Sequence, residues 1–206
     1  MFTFDKKKHW EKIYETKPLE KVSWYQSTPE TSLNFVERSF LAPDDKIIDI
    51  GGGDSLLVDH LLAKGFQDLT VLDISEKALV RAKERLGSKA EQIKWIATDV
   101  CQFKSDSQYA FWHDRAAFHF LTDPQDIENY KRVVSQSIKT DGVMLIATFS
   151  EQGPTKCSGI PIQQYSTESL ANVFEDDFEL VNTQIIDHTT PFDTVQNFVF
   201  CCFRKK

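Results

Sequence analysis

The sequence predicts an α/β fold: a seven-stranded, mostly parallel sheet whose last strand runs antiparallel, with helices on both faces and a helical extension ahead of the first strand. Three observations carry this. Between residues 47 and 149, short apolar runs alternate with stretches of helical periodicity, the pattern of βαβ units. The two strand-like runs near the carboxyl terminus are separated only by HTTPFDT, too short for a helical crossover, so they pair as antiparallel neighbours. The first apolar run ends in a carboxylate, Asp49, followed after one residue by the consecutive glycines Gly51, Gly52 and Gly53, a turn that brings backbone close to a ligand.

The elements follow in order. Residues 5–15 and 29–40 carry two helical patterns that precede the first strand and can lie over its carboxyl edge as a lid. The strand IIDI at 47–50 is apolar enough to be buried on both faces, and LLVDHLLAKG after the glycines has helical spacing. Then come the strand LTVLDI, the helix EKALVRAKERL and the strand IKWIATDV. A fourth strand is expected in YAFWHD, a helix in DPQDIENYKRVVSQSI, and a fifth strand in VMLIATF after a turn at Thr140, Asp141 and Gly142. A loop holding Gly153, Pro154, Gly159 and Pro161 leads to the helix TESLANVF and the final strands FELVNTQIIDH and VQNFVFCCFR. The organisation is an extension over residues 1–42 and a domain over residues 43–206.

At 206 residues the chain supports one sizeable core rather than two comfortable domains. A net charge of −7 disfavours long nucleic-acid grooves, which are held through Lys and Arg on phosphates. The basic start MFTFDKKKHW lacks the apolar core of a signal peptide, and no apolar run approaches membrane-spanning length, so a cytoplasmic protein with no membrane partner is expected. The cysteines Cys101, Cys157, Cys201 and Cys202 have neither CxxC zinc spacing nor a disulfide framework; no metal site is expected.

Ligands of open α/β sheets bind outside the carboxyl ends of the strands, so the residues there carry the chemistry. The turn KIIDIGGGDS invites a dinucleotide reading, but GxGxxG counted from Gly51 requires glycine where Leu56 stands, and Asp49 suits a cationic head better than a pyrophosphate. Asp73 closes the second strand 24 residues after Asp49, where a carboxylate can accept both hydroxyl hydrogens of a ribose. Asp99 closes the third and can accept from an adenine amino group, with the Val100 amide free to donate to a ring nitrogen. Each aspartate taken singly is equally a helix cap or turn residue; three in register beside a glycine turn point to a ligand.

Together these residues resemble the class I S-adenosylmethionine-dependent methyltransferases, a Rossmann-like superfamily whose first motif is an acid, one residue, then a glycine-rich turn, followed by acids after the second and third strands. The match runs from residue 47 to about residue 149. The resemblance implies S-adenosylmethionine as methyl donor and S-adenosylhomocysteine as product. It assigns the methionyl end to Asp49, Gly51, Gly52 and Gly53, the ribose and adenine to Asp73 and Ile74, and the adenine edge to Asp99 and Val100. Ser55 stands where a further glycine is common, and a serine there can cap the next helix.

The exit of the fourth strand, FWHDRAAFHFLTDP, faces the sulfonium methyl in that family. Asp114 and His119 are therefore candidate bases, with a strand-end ion pair to Arg115 and a packing histidine as the structural alternatives. Trp24, Tyr25, Arg115, Cys157 and His188 are candidate acceptor contacts by position. The aromatics Trp10, Tyr14, Trp24 and Tyr25 can roof the cofactor, since ring faces attract a sulfonium cation; for Trp10 and Tyr14, four residues apart, pinning the first helix to the domain is the favoured reading. A small-molecule acceptor is the first expectation. The opening HWEKIYETKPLEKVSWYQ also resembles some elongation-factor lysine methyltransferases, which makes a protein acceptor the second, although HDRAAFHF replaces their acidic signature after the fourth strand. A cofactor-binding sensor or partner subunit without catalysis is the third.

Overall fold

A computed structural model describes residues 4–206. The sheet is organised around β1 (Ile47–Ile50), all four residues of which are buried. Because successive side chains of a strand point to opposite faces, Ile47 joins one core and Ile48 and Ile50 the other. The first core lies under α2 (Glu30–Arg38), α3 (Leu57–Ala63) and α4 (Glu76–Leu86), with Leu33, Phe35, Val36, Leu57, Val58, Leu61 and Leu79 packed on β2 (Leu69–Asp73) and its neighbours. The second lies under α5 (Pro124–Ser137) and α6 (Thr167–Phe174), where Trp112, Tyr130, Val134, Leu170 and Phe174 meet.

The sheet order is β3-β2-β1-β4-β5-β9-β8, with β3 at Ile93–Ala97, β4 at Tyr109–Arg115, β5 at Ile138–Phe149, β8 at Phe178–Thr189 and β9 at Val195–Lys205. A short ladder, β6 (Lys156–Cys157) with β7 (Ile160–Pro161), lies in the loop after β5. The five strands from β1 to β5 are mutually parallel. The last strand in the chain, β9, runs antiparallel to both β5 and β8 and is inserted between them, so the edge is β8. The chain reverses its winding between β1 and β4, which opens a crevice at the carboxyl ends of those two strands.

The turn expected at residues 140–142 is instead a looped-out irregularity inside β5: Tyr109 pairs with Ile138 and Phe111 with Val143, and Asp141 has a φ of 60°.

The amino-terminal helices differ in attachment. α2 shares the main core, whereas α1 (Lys6–Thr16) lies across α4 and reaches α5 through polar contacts. Lys7 pairs with Glu76 at 2.7 Å, Lys77 with Glu15 at 2.9 Å, Lys6 with Asp126 at 2.6 Å, and Arg81 donates to the carbonyls of Tyr14 and Lys17. Glu11 accepts the amide of Glu76 at 2.7 Å, supplying a second acceptor at the α4 terminus that Ser75 caps.

Candidate active site

β1 and β4 are in register so that Asp49 lies beside His113, and the two side chains share a face of the sheet. His113 Nδ1 is 2.6 Å from Asp49 Oδ1, and its Nε2 is 2.8 Å from Ser32 Oγ on α2; all three residues are buried. The carboxylate is thereby held in one orientation against the glycine turn. A Cβ on Gly52 would lie 2.5 Å from Asp49 Oδ2, so only glycine lets the backbone pass that close. Gly53 has a φ of 43°, and a Cβ there would lie 2.7 Å from Asp73 Oδ2 and 2.8 Å from the Tyr14 hydroxyl. Ser55 Oγ accepts the amide of Leu57 at 3.1 Å at the start of α3.

A cavity of roughly 830 Å³, counting its part open to solvent, runs along the strand ends. Gly51, Asp73, Ile74, Asp99, Val100, Trp24, Arg115 and Cys157 all line it. Asp73 Oδ1 accepts the Ser75 amide at 2.8 Å, and burial, reinforced by the nearby Asp49 and Glu11, pushes its carboxyl up to about 7. Asp99 accepts the Cys101 amide at 2.9 Å, capping the short turn that presents Val100. Burial pushes the Cys157 thiol up to about 11, which leaves it protonated and a poor nucleophile at neutral pH.

Two further recesses adjoin the cavity. One is lined by Asp49, Gly51, Gly52, Ser32, His113, Trp24, Tyr25 and Arg115. The other is lined by Gln26, Thr28, His188, Phe198 and Arg115, and His188 Nε2 is held 2.8 Å from the Ser23 carbonyl. Arg115 lines all three spaces.

The geometry corrects the two candidate bases. Asp114 points to the opposite face from His113 and Arg115, into the core under α5. Its Oδ1 accepts the amides of Ala117 at 2.9 Å and Phe118 at 3.1 Å, and its Oδ2 accepts the Tyr130 hydroxyl at 2.7 Å. Burial raises its carboxyl to about 6 against these hydrogen bonds. Asp114 ties the strand exit to α5, lines none of the three spaces and forms no ion pair with Arg115. His119 is likewise buried, edge-on to Phe120 and tilted on Phe149. Burial, reinforced by Arg115, lowers its imidazole to about 3, so it stays neutral at physiological pH and lacks the basicity to take a proton.

The aromatic roof weighed for the amino-terminal segment includes Trp10 and Tyr14, which line the cavity as well. Trp10, set edge-on to Trp24 at 5.8 Å and Phe120 at 5.2 Å, forms an aromatic roof with Tyr14. Both therefore pin α1 and face the cavity at once. Lys6 and Thr98 complete its rim.

The chain is similar to known proteins in sequence and in fold. Residues 47–142 match the family model described as a methyltransferase domain. The eEF1A lysine and N-terminal methyltransferase of Mus musculus is 29% identical over 121 residues, 58% of this chain and 17% of that protein. The Homo sapiens protein of the same name is 27% identical over 120 residues, again 17% of its length. This chain thus spans under a fifth of the curated relatives it matches. Among solved structures, a SAM-dependent methyltransferase from Anabaena variabilis ATCC 29413 superposes with a TM-score of 0.76 at 14% identity, covering 99% of this chain and 96% of that one. The N-methyltransferase NodS from Bradyrhizobium japonicum WM9, in complex with S-adenosyl-L-homocysteine, gives 0.73 at 15% identity, covering 98% and 99%.

Proposed function

We propose that this chain, which has the class I S-adenosylmethionine-dependent methyltransferase fold and S-adenosylmethionine as its cofactor, methylates a small molecule enclosed between the strand ends and the amino-terminal segment. The observation that carries the reading is the single cavity in which Gly51, Asp73 and Asp99 face Trp10, Tyr14 and Trp24. Its residues fit the cofactor in kind: a close-approach glycine turn beside a fixed carboxylate, an acid at the second strand end, and aromatic faces above. In this reading Asp49 with Gly51, Gly52 and Gly53 holds the methionyl end. Asp73 and Ile74 hold the ribose and adenine, and Asp99 and Val100 the adenine edge.

When bound, the cofactor would supply an electrophilic methyl on a sulfonium sulfur, open to in-line attack at carbon by an acceptor lone pair, with the carbon–sulfur electron pair leaving on the neutral thioether and any proton on the acceptor passing to solvent. The chain's share is alignment and exclusion of water. Trp10 and Trp24 line the cavity, and an aromatic ring face attracts a sulfonium cation while having no such attraction for a neutral thioether. Trp24, Tyr25, Arg115, Cys157 and His188 surround the space left for the acceptor. With Asp114 and His119 turned away, the acceptor is one that reacts without a buried base, such as a neutral amine or a thiolate.

The division of the chain differs from an extension over residues 1–42: α1 and the segment up to residue 29 act as the lid, and α2, whose Leu33, Phe35 and Val36 lie in the core, belongs with the methyltransferase domain. A reducing compartment such as the cytoplasm suits four cysteines that all stand as free thiols. No helix among the described residues is long and apolar enough to cross a membrane.

A second reading, methylation of a protein lysine, is favoured by the similarity to the eEF1A lysine and N-terminal methyltransferases. Transfer of radiolabelled methyl from S-adenosylmethionine into a cell extract separates the readings. Label in the small-molecule fraction supports the first, and label retained on protein after denaturing electrophoresis supports the second. Binding with no transfer to either fraction refutes both in favour of a cofactor-binding subunit.

A further inference from the structure

Asp54, the residue after the glycines, is a buried carboxylate held by two arginines of α4. Arg85 pairs with its Oδ1 and donates to the carbonyls of Asp54 at 3.2 Å and Ser55 at 2.9 Å, which ties the turn to α4. Arg81 Nη2 lies 2.9 Å from its Oδ2, in ionic contact without hydrogen-bond alignment. Burial raises the pKa of the Asp54 carboxyl against the pull of both cations, and a buried carboxylate that loses its countercharge is costly.

Of the two arginines, Arg81 also reaches α1. Its Nη1 donates to the carbonyls of Tyr14 at 2.8 Å and Lys17 at 2.7 Å, at the carboxyl end of that helix. The last carbonyls of a helix lack intrahelical partners and form its negative pole. α1 carries no basic residue in its own last turn, so Arg81 supplies the cation. One guanidinium therefore joins two walls of the cavity, the helix that holds Trp10 and Tyr14 over it and the turn that begins at Gly51. Tyr14, the one buried residue of α1, meets the turn a second time, its hydroxyl 2.8 Å from where a Cβ on Gly53 would lie. Neither Arg81 nor Asp54 lines the cavity or its two recesses, so their effect on a ligand there passes through α1 and the turn.

We propose, on the methyltransferase reading above, that Arg81 is a positioning residue for the cofactor: by bridging the carboxyl end of α1 and Asp54, it couples the seating of the Trp10 and Tyr14 roof to the conformation of the glycine turn. When α1 lifts, Arg81 gives up two acceptors and Asp54 loses the fixed placement of one countercharge. A ligand that settles the turn settles Asp54, and with it Arg81 and the roof. Binding at the turn favours the seated roof, and the seated roof favours binding by the same factor.

Hydrogen–deuterium exchange of the ligand-free protein and calorimetric titration with S-adenosylhomocysteine test this on the full chain as wild type, Arg81→Gln, Arg81→Lys, Asp54→Asn and the double variant of Arg81→Gln with Asp54→Asn. Asp54→Asn speeds exchange across residues 6–16 by about fivefold, although the Asp54 side chain pairs with α4 and with no residue of α1. On the Arg81→Gln background the same change adds nothing to α1 exchange. Arg81→Gln weakens S-adenosylhomocysteine by about fivefold or more. Arg81→Lys, which keeps the charge but cannot span carbonyls and carboxylate as a planar fork does, falls between. Slow exchange in β4 and β5 reports that each protein is folded; if Arg81→Gln loses it, faster α1 exchange and weaker binding in both Arg81→Lys and Asp54→Asn support the coupling, and either reading unchanged overturns it. Unchanged affinity in the Arg81 variants overturns the proposal, as does an Asp54→Asn effect on α1 of equal size with and without Arg81, which marks two independent supports of the fold. Wild-type protein with no affinity for S-adenosylhomocysteine brings down the cofactor reading and the positioning role with it, while the ligand-free cycle still reports whether Arg81 links α1 to the turn.

Discussion

Replacing Asp73 by asparagine should make the ligand-free protein more stable and the liganded protein weaker, with a pH dependence that identifies the cause. The Asp73 carboxyl is buried beside Asp49 and Glu11 and titrates near 7, against 3.8 for the ordinary group. Between about pH 4 and 7 the folded chain therefore holds a proton that the unfolded chain has lost. Stability is greatest at the acid end of this window and declines as pH rises through 7. Roughly three pKa units at about 1.4 kcal/mol each set a ceiling of about 4 kcal/mol on that decline. Asparagine keeps an acceptor for the Ser75 amide, 2.8 Å away in the wild type, and removes the charge. Urea unfolding at pH 8 should show Asp73→Asn more stable by about 1–3 kcal/mol, with the gain fading toward pH 4. S-adenosylhomocysteine binding should weaken by about 1.5–3 kcal/mol through loss of a charged acceptor for the ribose hydroxyls. A variant no more stable than wild type at pH 8, or one whose gain is the same at pH 4 and pH 8, refutes the reasoning.

Further outcomes follow from the same geometry. His113→Ala strips Asp49 of its 2.6 Å partner inside the core and should cost at least about 2 kcal/mol of stability by chemical denaturation, whereas Ser32→Ala should cost about 1 kcal/mol. Tyr130→Phe removes one donor to Asp114 and should lower stability by about 1–3 kcal/mol while kcat per folded molecule holds; a selective loss of kcat would restore Asp114 to the chemistry. Gly52→Ala forces a methyl group to within 2.5 Å of Asp49 Oδ2, and calorimetry should show S-adenosylhomocysteine affinity falling by about tenfold or more. Trp24→Ala should narrow the preference for S-adenosylmethionine over S-adenosylhomocysteine by about 0.5–2 kcal/mol, read as the ratio of their dissociation constants.

Where apolar period and cap coincide, the elements were legible in the sequence: α4 spans EKALVRAKERL and α6 spans TESLANVF as read, each behind a capping serine. The antiparallel hairpin of β8 and β9 followed from the short link between them, but its insertion beside β5 did not, because strand order is set by long-range packing that no local pattern records. The cofactor-side acids stood out through their place at strand ends. The error at the fourth strand has a definite cause. Side chains alternate across a strand, so in the run of His113, Asp114 and Arg115 the middle residue faces α5 while its neighbours face the recess. Proximity in sequence suggested one reaction neighbourhood, where the pleat makes two. Placing His113 opposite Asp49 required the β1–β4 register.

The two buried aspartates at the strand ends show how hydrogen-bond accounting separates scaffold from site. Asp114 has both oxygens engaged, by two amides and a phenol, and it faces no cavity. Asp73 has Oδ1 bonded to one amide, lines the cavity along the strand ends, and is crowded by Asp49 and Glu11. Folding alone gains nothing from such crowding, and the same holds for the unpaired donors of Arg115 and for Ala116 after it, a non-glycine residue at a φ of 68°. These unfavourable features converge on one crevice, while Asp114, in the core under α5, has both carboxylate oxygens bonded. An arrangement that leaves an acid, a guanidinium and a strained turn facing one space is stabilised by what enters that space. That is why the sign of the Asp73→Asn effect, more stable when empty and weaker when filled, bears directly on where this protein binds.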